Sequence, residues 1–473
     1  MNIVFFLSIF SVLGIVYFIV GAKASKNIKT TTDYFLAGRN LGLIPVMFTL
    51  VATQLGGGLL LGTSAEAYNV GYYGILYTLG MALGFMLLGL GFASKLQSLN
   101  VATTAELFET RYQSPNLKRL ASLLSIATLC GILVAQIIAA RTLLAGLWPG
   151  DNELILILFW VGVIAYTMVG GLKAVVATDT LQVGIIVAIF VGIFLYALLT
   201  GQFEALLSCS QLAKTQSLFA TKQISLNSLI GVALMPALFS LIEQDLAQRF
   251  FAARTKKIAA FAALGASGIL IAFSIIPLLF GMKARLLGYV VEGSSPLMPV
   301  IGYLAGDFVL ALAACAIVAA ITSTADSLLC AISSNISEDF GPLLVKTKNK
   351  LKLSKIITLL TGVAAITASY LVKQNIIDVL VGSYELSVSC LLVPLLFAYF
   401  VKNPPKSAAI GAIACGLAGF VLFRMPNLLV YFMGTHPTAP IGPAMPLMIP
   451  REIITLGMSL LGYAIGYLAN RQK

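Results

Sequence analysis

Apolar blocks of about 20 residues recur along the whole chain and are separated by short polar segments. The hydrocarbon core of a bilayer is about 30 Å thick, and a helix needs about 20 apolar residues to cross it. Only 10% of the 473 residues are charged, and no polar segment is long enough to form a separate soluble domain. Ordinary soluble domains are about 25% charged. The sequence therefore predicts an all-α protein embedded in a lipid bilayer.

The apolar blocks and their polar breaks predict about thirteen transmembrane helices. The first block has no Lys or Arg before its apolar run, which is also too long for a signal peptide, so we interpret it as a retained span. The predicted spans lie near 3–22, 41–62, 72–93, 119–147, 154–172, 179–200, 227–248, 258–281, 302–336, 353–372, 376–400, 406–424 and 451–470.

The distribution of Lys and Arg predicts the orientation. With thirteen spans, 22 of the 30 basic residues fall on the side that includes the C-terminal tail, seven fall on the other side, and Arg141 lies within a span. Because positive charge marks the cytoplasmic side, the N-terminus is predicted outside and the C-terminus in the cytoplasm of a plasma (inner) membrane. The net charge of +12 then reflects this bias, and we expect no nucleic-acid partner.

Other function classes find little support in the residues. The six cysteines form no Cys-x-x-Cys pair and are interpreted as packing residues. The single histidine, His436, falls in a predicted outer loop, and no nucleophile–base pair or metal cluster is apparent. The sequence therefore favours a transporter over an enzyme or a receptor. It carries no signal for an oligomeric state.

Three consecutive glycines interrupt the second predicted span. Gly56, Gly57 and Gly58 follow the polar Gln54 at mid-membrane. Glycine costs about 1 kcal/mol relative to alanine in a helix, and the alternative role of such residues is close helix packing. Three in a row beside a polar residue favour an unwound segment, which survives at this depth only where it is buried in protein or lines a cavity.

A second interruption is predicted in the seventh span, at Pro236, which removes one backbone hydrogen bond. Five spans separate the start of the second span from the start of the seventh. Because five is odd, two five-helix units must be inverted relative to each other. Broken helices at matching positions of inverted repeats indicate a binding site near the membrane midplane.

The ninth span presents a hydroxyl-rich face. Ala320, Ser323, Thr324 and Ser327 are spaced three and four residues apart and share one face of the helix, with Asp326 at its margin. Hard cations prefer oxygen ligands, and the two central hydroxyls together with carbonyls freed on the second span could supply about five. The alternative is that these hydroxyls bond back to their own helix. Because intramembrane acids are costly and usually serve a transport pathway, we favour a sodium site.

Several motifs, spread over nearly the whole chain, resemble those of the sodium:solute symporter family. The segment GGLKAVVATDTLQ at 170–182 is similar to the family's most specific signature, between core helices four and five. SSNISED at 333–339 and QRFFAA at 248–253 also resemble family segments, in the family's order. The resemblance implies the leucine-transporter fold. It also implies transport driven by Na⁺.

The resemblance implies roles for individual residues. Backbone carbonyls of Ala52, Leu55 and Ala320 would bind sodium together with the hydroxyls of Ser323 and Thr324. Some members hold a second sodium near the positions of Asp179, Asp326 and Ser327. Asp326 stands where those members carry a serine, and the extra acid could instead strengthen cation binding or carry a proton.

The family fold also implies a division of the chain. Residues 1–40 would form an accessory span and a cytoplasmic loop, and 41–400 a ten-helix transport core with repeats at 41–200 and 227–400. Residues 401–473 would add two accessory spans. Sodium would bridge the second and ninth spans in the outward-open state, and the bundle would then rock inward. Each sodium entering down a 100 mV potential adds about 2.3 kcal/mol.

The identity of the solute follows mainly by exclusion. Sugar-carrying members have polar and acidic side chains where this chain has Gly56–Leu59. Choline carriers share the three glycines but have a tryptophan where this chain has Gln54, and they need aromatic residues around the quaternary amine. Proline carriers have aromatic residues at the positions of Pro236 and Ser240. Compared with each of these three groups of carriers, this chain therefore lacks side chains that they have at the solute site.

What remains is a pocket with free backbone N–H groups, which suit a carboxylate. The sequence therefore favours an amino acid or a small monocarboxylate as the small-molecule solute. The predicted solute site consists of Gln54, Gly56, Gly57, Gly58, Phe239, Tyr72 and Tyr77. A proton-coupled symporter or a sodium-independent facilitator of a similar solute remains an alternative.

Overall fold

The computed structural model of the protein describes residues 3–26, 28–148, 152–207, 226–289, 295–341, 350–372, 375–423 and 450–471. His436 and Cys209 lie outside these ranges. The described residues are helical apart from short connections and one isolated backbone bridge, between Leu41 and Ala253. The helices are α1 Ile3–Ser25, α2 Thr31–Leu36, α3 Leu43–Gln54, α4 Thr63–Val70, α5 Leu76–Leu87, α6 Ala93–Ser98, α7 Glu106–Tyr112, α8 Pro115–Leu147, α9 Glu153–Leu199, α10 Glu204–Leu207, α11 Leu226–Phe239, α12 Gln244–Ala252, α13 Lys256–Leu286, α14 Leu297–Asn335, α15 Lys350–Ser369, α16 Ile376–Ser387, α17 Val393–Phe400, α18 Lys406–Phe423 and α19 Arg451–Arg471.

Short turns of wider or tighter helix adjoin several of these elements. Tighter turns cover Ala37–Arg39 and Gly71–Ile75, and wider turns cover Gly58–Gly62, Leu88–Phe92, Ile336–Phe340 and Val388–Leu392. Wide turns inside apolar helices are frequent at functional sites. The turn at Gly58–Gly62 lies directly after the glycine segment singled out above.

Eleven helical stretches among the described residues are long and apolar enough to cross a membrane, and two shorter apolar helices, Leu43–Gln54 and Glu153–Ala165, accompany them. The prediction of an all-α multi-pass membrane protein is therefore confirmed. The count of thirteen, the domain limits and the orientation of the termini stay predictions.

The predicted start of the sixth span is wrong. The fifth and sixth predicted spans, 154–172 and 179–200, lie on the two sides of a kink in α9 at Gly171, whose backbone is non-helical at φ 51° and ψ −161°. The sixth span begins directly after this kink, so residues 173–178 are helical. The polar residues after Lys173 do not form a loop because their hydroxyls bond within the helix. Thr178 donates to the Ala174 carbonyl at 3.1 Å, and Thr180 donates to the Val176 carbonyl at 2.7 Å.

Helix α14 lies at the centre of the fold. It packs against α1, α3, α8, α9, α12, α13 and α15. Residues 323–335 of this helix are all buried, so this part of α14 is covered by protein on every side. A helix buried all round belongs to the middle of a bundle. The hydroxyl-rich stretch predicted from sequence is therefore a core element.

The break in the seventh predicted span lies after Pro236, not at it. Helix α11 runs through this proline to Phe239, and a turn at 240–243 leads into α12. The proline carbonyl still accepts hydrogen bonds from the Ser240 N–H at 3.1 Å and the Ser240 hydroxyl at 2.8 Å. Proline removes only its own N–H, so the helix tolerates it and ends one turn later.

Candidate functional site

The predicted break in the second span is confirmed. Helix α3 ends at Gln54, Leu55 and Gly56 lie outside regular helix, and helical backbone resumes at Gly57 and Gly58. The break is buried, and it exposes the carbonyls of the last turn of α3 to the surrounding helices. Such a break inside a membrane protein fits the requirement that non-helical backbone be enclosed by protein.

The three glycines also allow close packing. A Cβ atom on Gly56 would meet the Thr324 side chain and would lie 2.9 Å from Gln136 Oε1, and one on Gly57 would meet Ala139 Cβ. The Gly57 N–H donates to Gln136 Oε1 at 2.9 Å. Both interpretations of the glycines therefore hold, because the segment is broken and its neighbours on α8 and α14 lie too close for a side chain.

Gly56→Ala is expected to impair the site, because its methyl group would displace the Thr324 hydroxyl. Overpacking of this kind costs about 1–3 kcal/mol. We expect a lower melting temperature and a weaker stabilisation by sodium. Gly184→Ala in α9 is the matched control, since nothing lies within 4 Å of the Cβ that it would add. A Gly56→Ala protein that keeps the full sodium effect would contradict the assigned packing.

The two central hydroxyls of α14 reach the broken end of α3. Ser323 Oγ donates to the carbonyls of Ala52 at 3.1 Å and Ala320 at 3.0 Å. Thr324 Oγ1 lies 3.0 Å from the Thr53 carbonyl, 3.1 Å from the Ala320 carbonyl and 3.5 Å from the Ala52 carbonyl. Five oxygens of two helices, all in buried residues, thus converge at one place.

These oxygens are the hard, uncharged ligands that a small cation prefers. The structure brings Ala52, Ala320, Ser323 and Thr324 together as predicted, and it adds the Thr53 carbonyl. Leu55 lies at the end of α3, and the hydroxyls of α14 bond to the carbonyls of the preceding residues instead of to it. The assignment of this group as a sodium site stays a prediction.

A buried arginine lies beside this group. The side chain of Arg249, on α12, is fully buried, and its Nη2 lies 3.5 Å from Asp179 Oδ2. Arg249 also donates to Thr49 Oγ1 at 2.9 Å, to Ser327 Oγ at 2.5 Å and to the Asp245 carbonyl at 2.7 Å. Its contacts therefore join α3, α9, α12 and α14.

Arg249 corrects the sequence analysis, which counted it in a cytoplasmic connection. Without Arg249, the number of basic residues counted on the cytoplasmic side falls from 22 to 21, so the charge bias remains. The residues predicted for a second ion are grouped around its guanidinium: Thr49 donates to Asp179 at 2.5 Å, and Ser327 lies 3.5 Å from Asp326 Oδ1. A fixed positive charge thus already lies among them, and the second ion stays a prediction.

A small cavity lies at the break. Its volume is about 10 Å³, room for roughly one water molecule, so a larger solute requires the lining side chains to move. The lining includes predicted solute residues and others that the sequence analysis did not identify. The lining residues are Thr53, Gln54, Gly56, Gly58, Leu59, Tyr77, Ile132, Gln136, Glu243, Asp245, Thr324, Leu328, Leu380 and Tyr384.

Aromatic residues form one wall. Tyr384, on α16, stacks on Phe239 with ring centroids 4.6 Å apart, and its hydroxyl lies 2.9 Å from that of Tyr77. The predicted residues Phe239 and Tyr77 are therefore at the cavity or directly behind its wall. Tyr72 is not among the lining residues, because its hydroxyl donates to the Leu206 carbonyl in α10.

The sequence analysis missed Glu243, Asp245 and Gln136. The two acids lie inside the predicted seventh span, where intramembrane acids indicate function, so the rule applied to Asp326 could have found them. Glu243 accepts a hydrogen bond from the Gln54 amide at 3.4 Å. Gln136 has no such local signal, because its partner Gly57 lies 79 residues away in the chain.

Comparison with known proteins settles the family. Residues 34–419, most of the chain, match the model of the sodium:solute symporter family. The chain belongs to the sodium:solute symporter family. As a member, it is a sodium-coupled membrane transporter of a small-molecule solute, with Na⁺ as the coupling ion.

Solved structures show the fold of this sodium:solute symporter. A Na⁺-coupled sialic acid symporter in a substrate-bound, outward-open state is 18% identical, covers 99% of this chain and 98% of its own, and has a TM-score of 0.77. A closed nucleobase-cation-symport-1 family transporter with bromovinylhydantoin bound is 14% identical over 92% of this chain and 93% of its own, with a TM-score of 0.59. MhsT in complex with L-phenylalanine is 14% identical over 91% and 99%, with a TM-score of 0.54. The predicted leucine-transporter-like fold is confirmed.

Proposed function

We propose that this protein imports a small organic solute, an amino acid or a small monocarboxylate, together with sodium by alternating access. The supporting observation is the convergence of the Ser323 and Thr324 hydroxyls on carbonyls at the broken end of α3. Two helices from different halves of the chain contribute to this group. A cation bound there would hold them together.

The same elements give a physical basis for coupling. Thr324 lines the solute cavity and also contacts the carbonyls of Ala52 and Thr53. A sodium ion bound at those oxygens would fix the position of the break and of the cavity wall. Solute would therefore bind more tightly when sodium is present, and sodium more tightly when solute is present, because such coupling is reciprocal.

We propose that the protein acts in the plasma (inner) membrane, with its N-terminus outside and its C-terminus in the cytoplasm. The bias of Lys and Arg supports this orientation. Each sodium ion that enters down a potential of 100 mV contributes about 2.3 kcal/mol to solute accumulation.

Uptake by proteoliposomes tests the proposal. Radiolabelled amino acids and short monocarboxylates are offered one at a time, with and without an inward sodium gradient at constant pH. We expect at least one of them to accumulate only when the sodium gradient is present. Uptake that follows a proton gradient and ignores sodium, or that ignores both, would contradict the proposal and favour the proton-coupled symporter or the facilitator.

A further inference from the structure

Carboxyl groups outnumber basic groups around the cavity and the neighbouring ion pair. Four acidic residues are buried there, Asp179, Glu243, Asp245 and Asp326, and Arg249 is the one basic residue that contacts this group within the described residues. Buried charges are costly unless a counter-charge compensates them. The group therefore favours the binding of further positive charge.

Two of the four acids line the solute cavity. Glu243 and Asp245 flank the start of α12, and their side chains are 5% and 0% exposed. Glu243 accepts one hydrogen bond, from the Gln54 amide. No hydrogen bond of good geometry reaches either carboxylate oxygen of Asp245 among the residues that the structure describes, although the Glu243 carboxyl and the N–H groups of Asp245 and Leu246 lie close to it.

A purely structural role explains part of this arrangement. Acids near the start of a helix are stabilised by the helix dipole, typically by 0.3–1 kcal/mol. Arg249 does not complete the explanation, because its hydrogen bonds go to Thr49, Ser327 and the backbone carbonyl of Asp245. The carboxylate of Asp245 thus keeps two buried acceptor oxygens that no well-formed hydrogen bond satisfies.

We propose that Glu243 and Asp245 bind a protonated primary or secondary amine of the transported solute. An ammonium group with N–H bonds supplies both the positive charge and the donors that Asp245 lacks. A quaternary ammonium group has the charge but no N–H donor, so it fits less well.

This proposal rests on the proposed function and selects between its two candidate solutes. A monocarboxylate without an amine would add a third carboxyl group beside two buried acids and bring no positive charge. The N–H of Gly57, which the sequence analysis offered to a carboxylate, already donates to Gln136. An amino acid or another small amine therefore fits the cavity better than a monocarboxylate.

Matched ligands test the proposal on the wild-type protein. Alanine, propionate and fully N-methylated alanine share one carbon skeleton and differ in the amine, and analogous sets can be built on other amino acids. Thermal stability of the purified protein is measured with each compound, in sodium and in potassium buffer. We expect stabilisation by amine-bearing members only, and more of it in sodium, because a ligand stabilises the state that binds it.

Variants then locate the amine. Glu243→Gln or Asp245→Asn is expected to weaken the affinity for the stabilising ligand by about tenfold or more, because each substitution removes a charge-assisted hydrogen bond. Asp339→Asn is the control, a buried acid in the wide turn after α14 that accepts from Thr103 at 2.9 Å and does not line the cavity. Its affinity should match that of the wild type.

The outcomes separate this proposal from the proposed function. Sodium-dependent stabilisation by propionate-type compounds, with no effect of the amines, would overturn amine recognition and leave sodium symport intact. Stabilisation by amines that is equal in sodium and potassium would instead count against sodium coupling. If both variants fail to fold, the matched ligands on the wild type still decide, because that comparison needs no substitution.

Discussion

Arg249→Met is expected to destabilise the protein by about 3–5 kcal/mol, the usual cost of removing one partner of a buried ion pair. The guanidinium is fully buried and lies 3.5 Å from Asp179, and Asp326 is close by through Ser327. Without Arg249, these carboxylates would be left without their nearest positive charge. The loss is measured by unfolding the purified protein in detergent with heat or with denaturant.

Two further variants make the Arg249 experiment specific. Arg254→Met removes an exposed arginine from the same segment and should leave stability within about 0.5 kcal/mol. Adding Asp179→Asn to Arg249→Met should recover part of the loss, because it removes one uncompensated charge. Equal stability of Arg249→Met and Arg254→Met would show that the buried ion pair contributes nothing.

Ser323→Ala combined with Thr324→Ala is expected to raise the sodium concentration needed for half-maximal uptake by tenfold or more. Each hydroxyl would be an uncharged ligand to the ion, and a hydrogen bond or contact to a charged group contributes about 1.5–3 kcal/mol, where 1.4 kcal/mol corresponds to tenfold. Sodium titration of uptake measures this shift.

Thr322→Ala is the matched control for the pair. Thr322 lies on the same helix, but its hydroxyl donates back to the Val318 carbonyl at 2.7 Å, a residue of its own helix. Its sodium dependence should equal that of the wild type. If the control and the double variant shift sodium dependence to the same extent, the hydroxyls of Ser323 and Thr324 have no special role.

Features that depend on neighbouring residues were predictable from the sequence. The glycine break and the hydroxyl face each consist of residues that lie within a few consecutive helical turns. Their residue types and spacing were therefore sufficient to predict them. The meeting of the two was proposed from their complementary oxygen ligands, and only the family resemblance named Ala52, 271 residues away from Ser323, as one of the carbonyls. Periodicity alone carries no information about such distant pairs.

The errors have equally specific causes. The connection predicted at 173–178 is helical, because Thr178 and Thr180 satisfy their hydroxyls on their own helix, and the break between the fifth and sixth spans lies at Gly171. Arg249 resembled a loop residue, because its partners Thr49 and Ser327 lie 200 and 78 residues away. A basic residue next to an apolar block cannot be assigned to loop or interior until its distant partners are known.

The solute site shows the same limit. The sequence predicted a pocket that favours a carboxylate, because the free N–H groups at the glycine break were visible and their partners were not. Gln136 accepts from Gly57, and Glu243 and Asp245 line the cavity. These three side chains come from α8, from α12 and from the turn before it, and they shift the expected ligand toward an amine.

Binding of radioactive sodium to the purified protein tests most directly whether the ion lies between α3 and α14. We expect saturable binding to the wild type and to Thr322→Ala, and binding weakened by tenfold or more in Ser323→Ala with Thr324→Ala. Equal sodium affinity in the double variant and the wild type would contradict this location of the site.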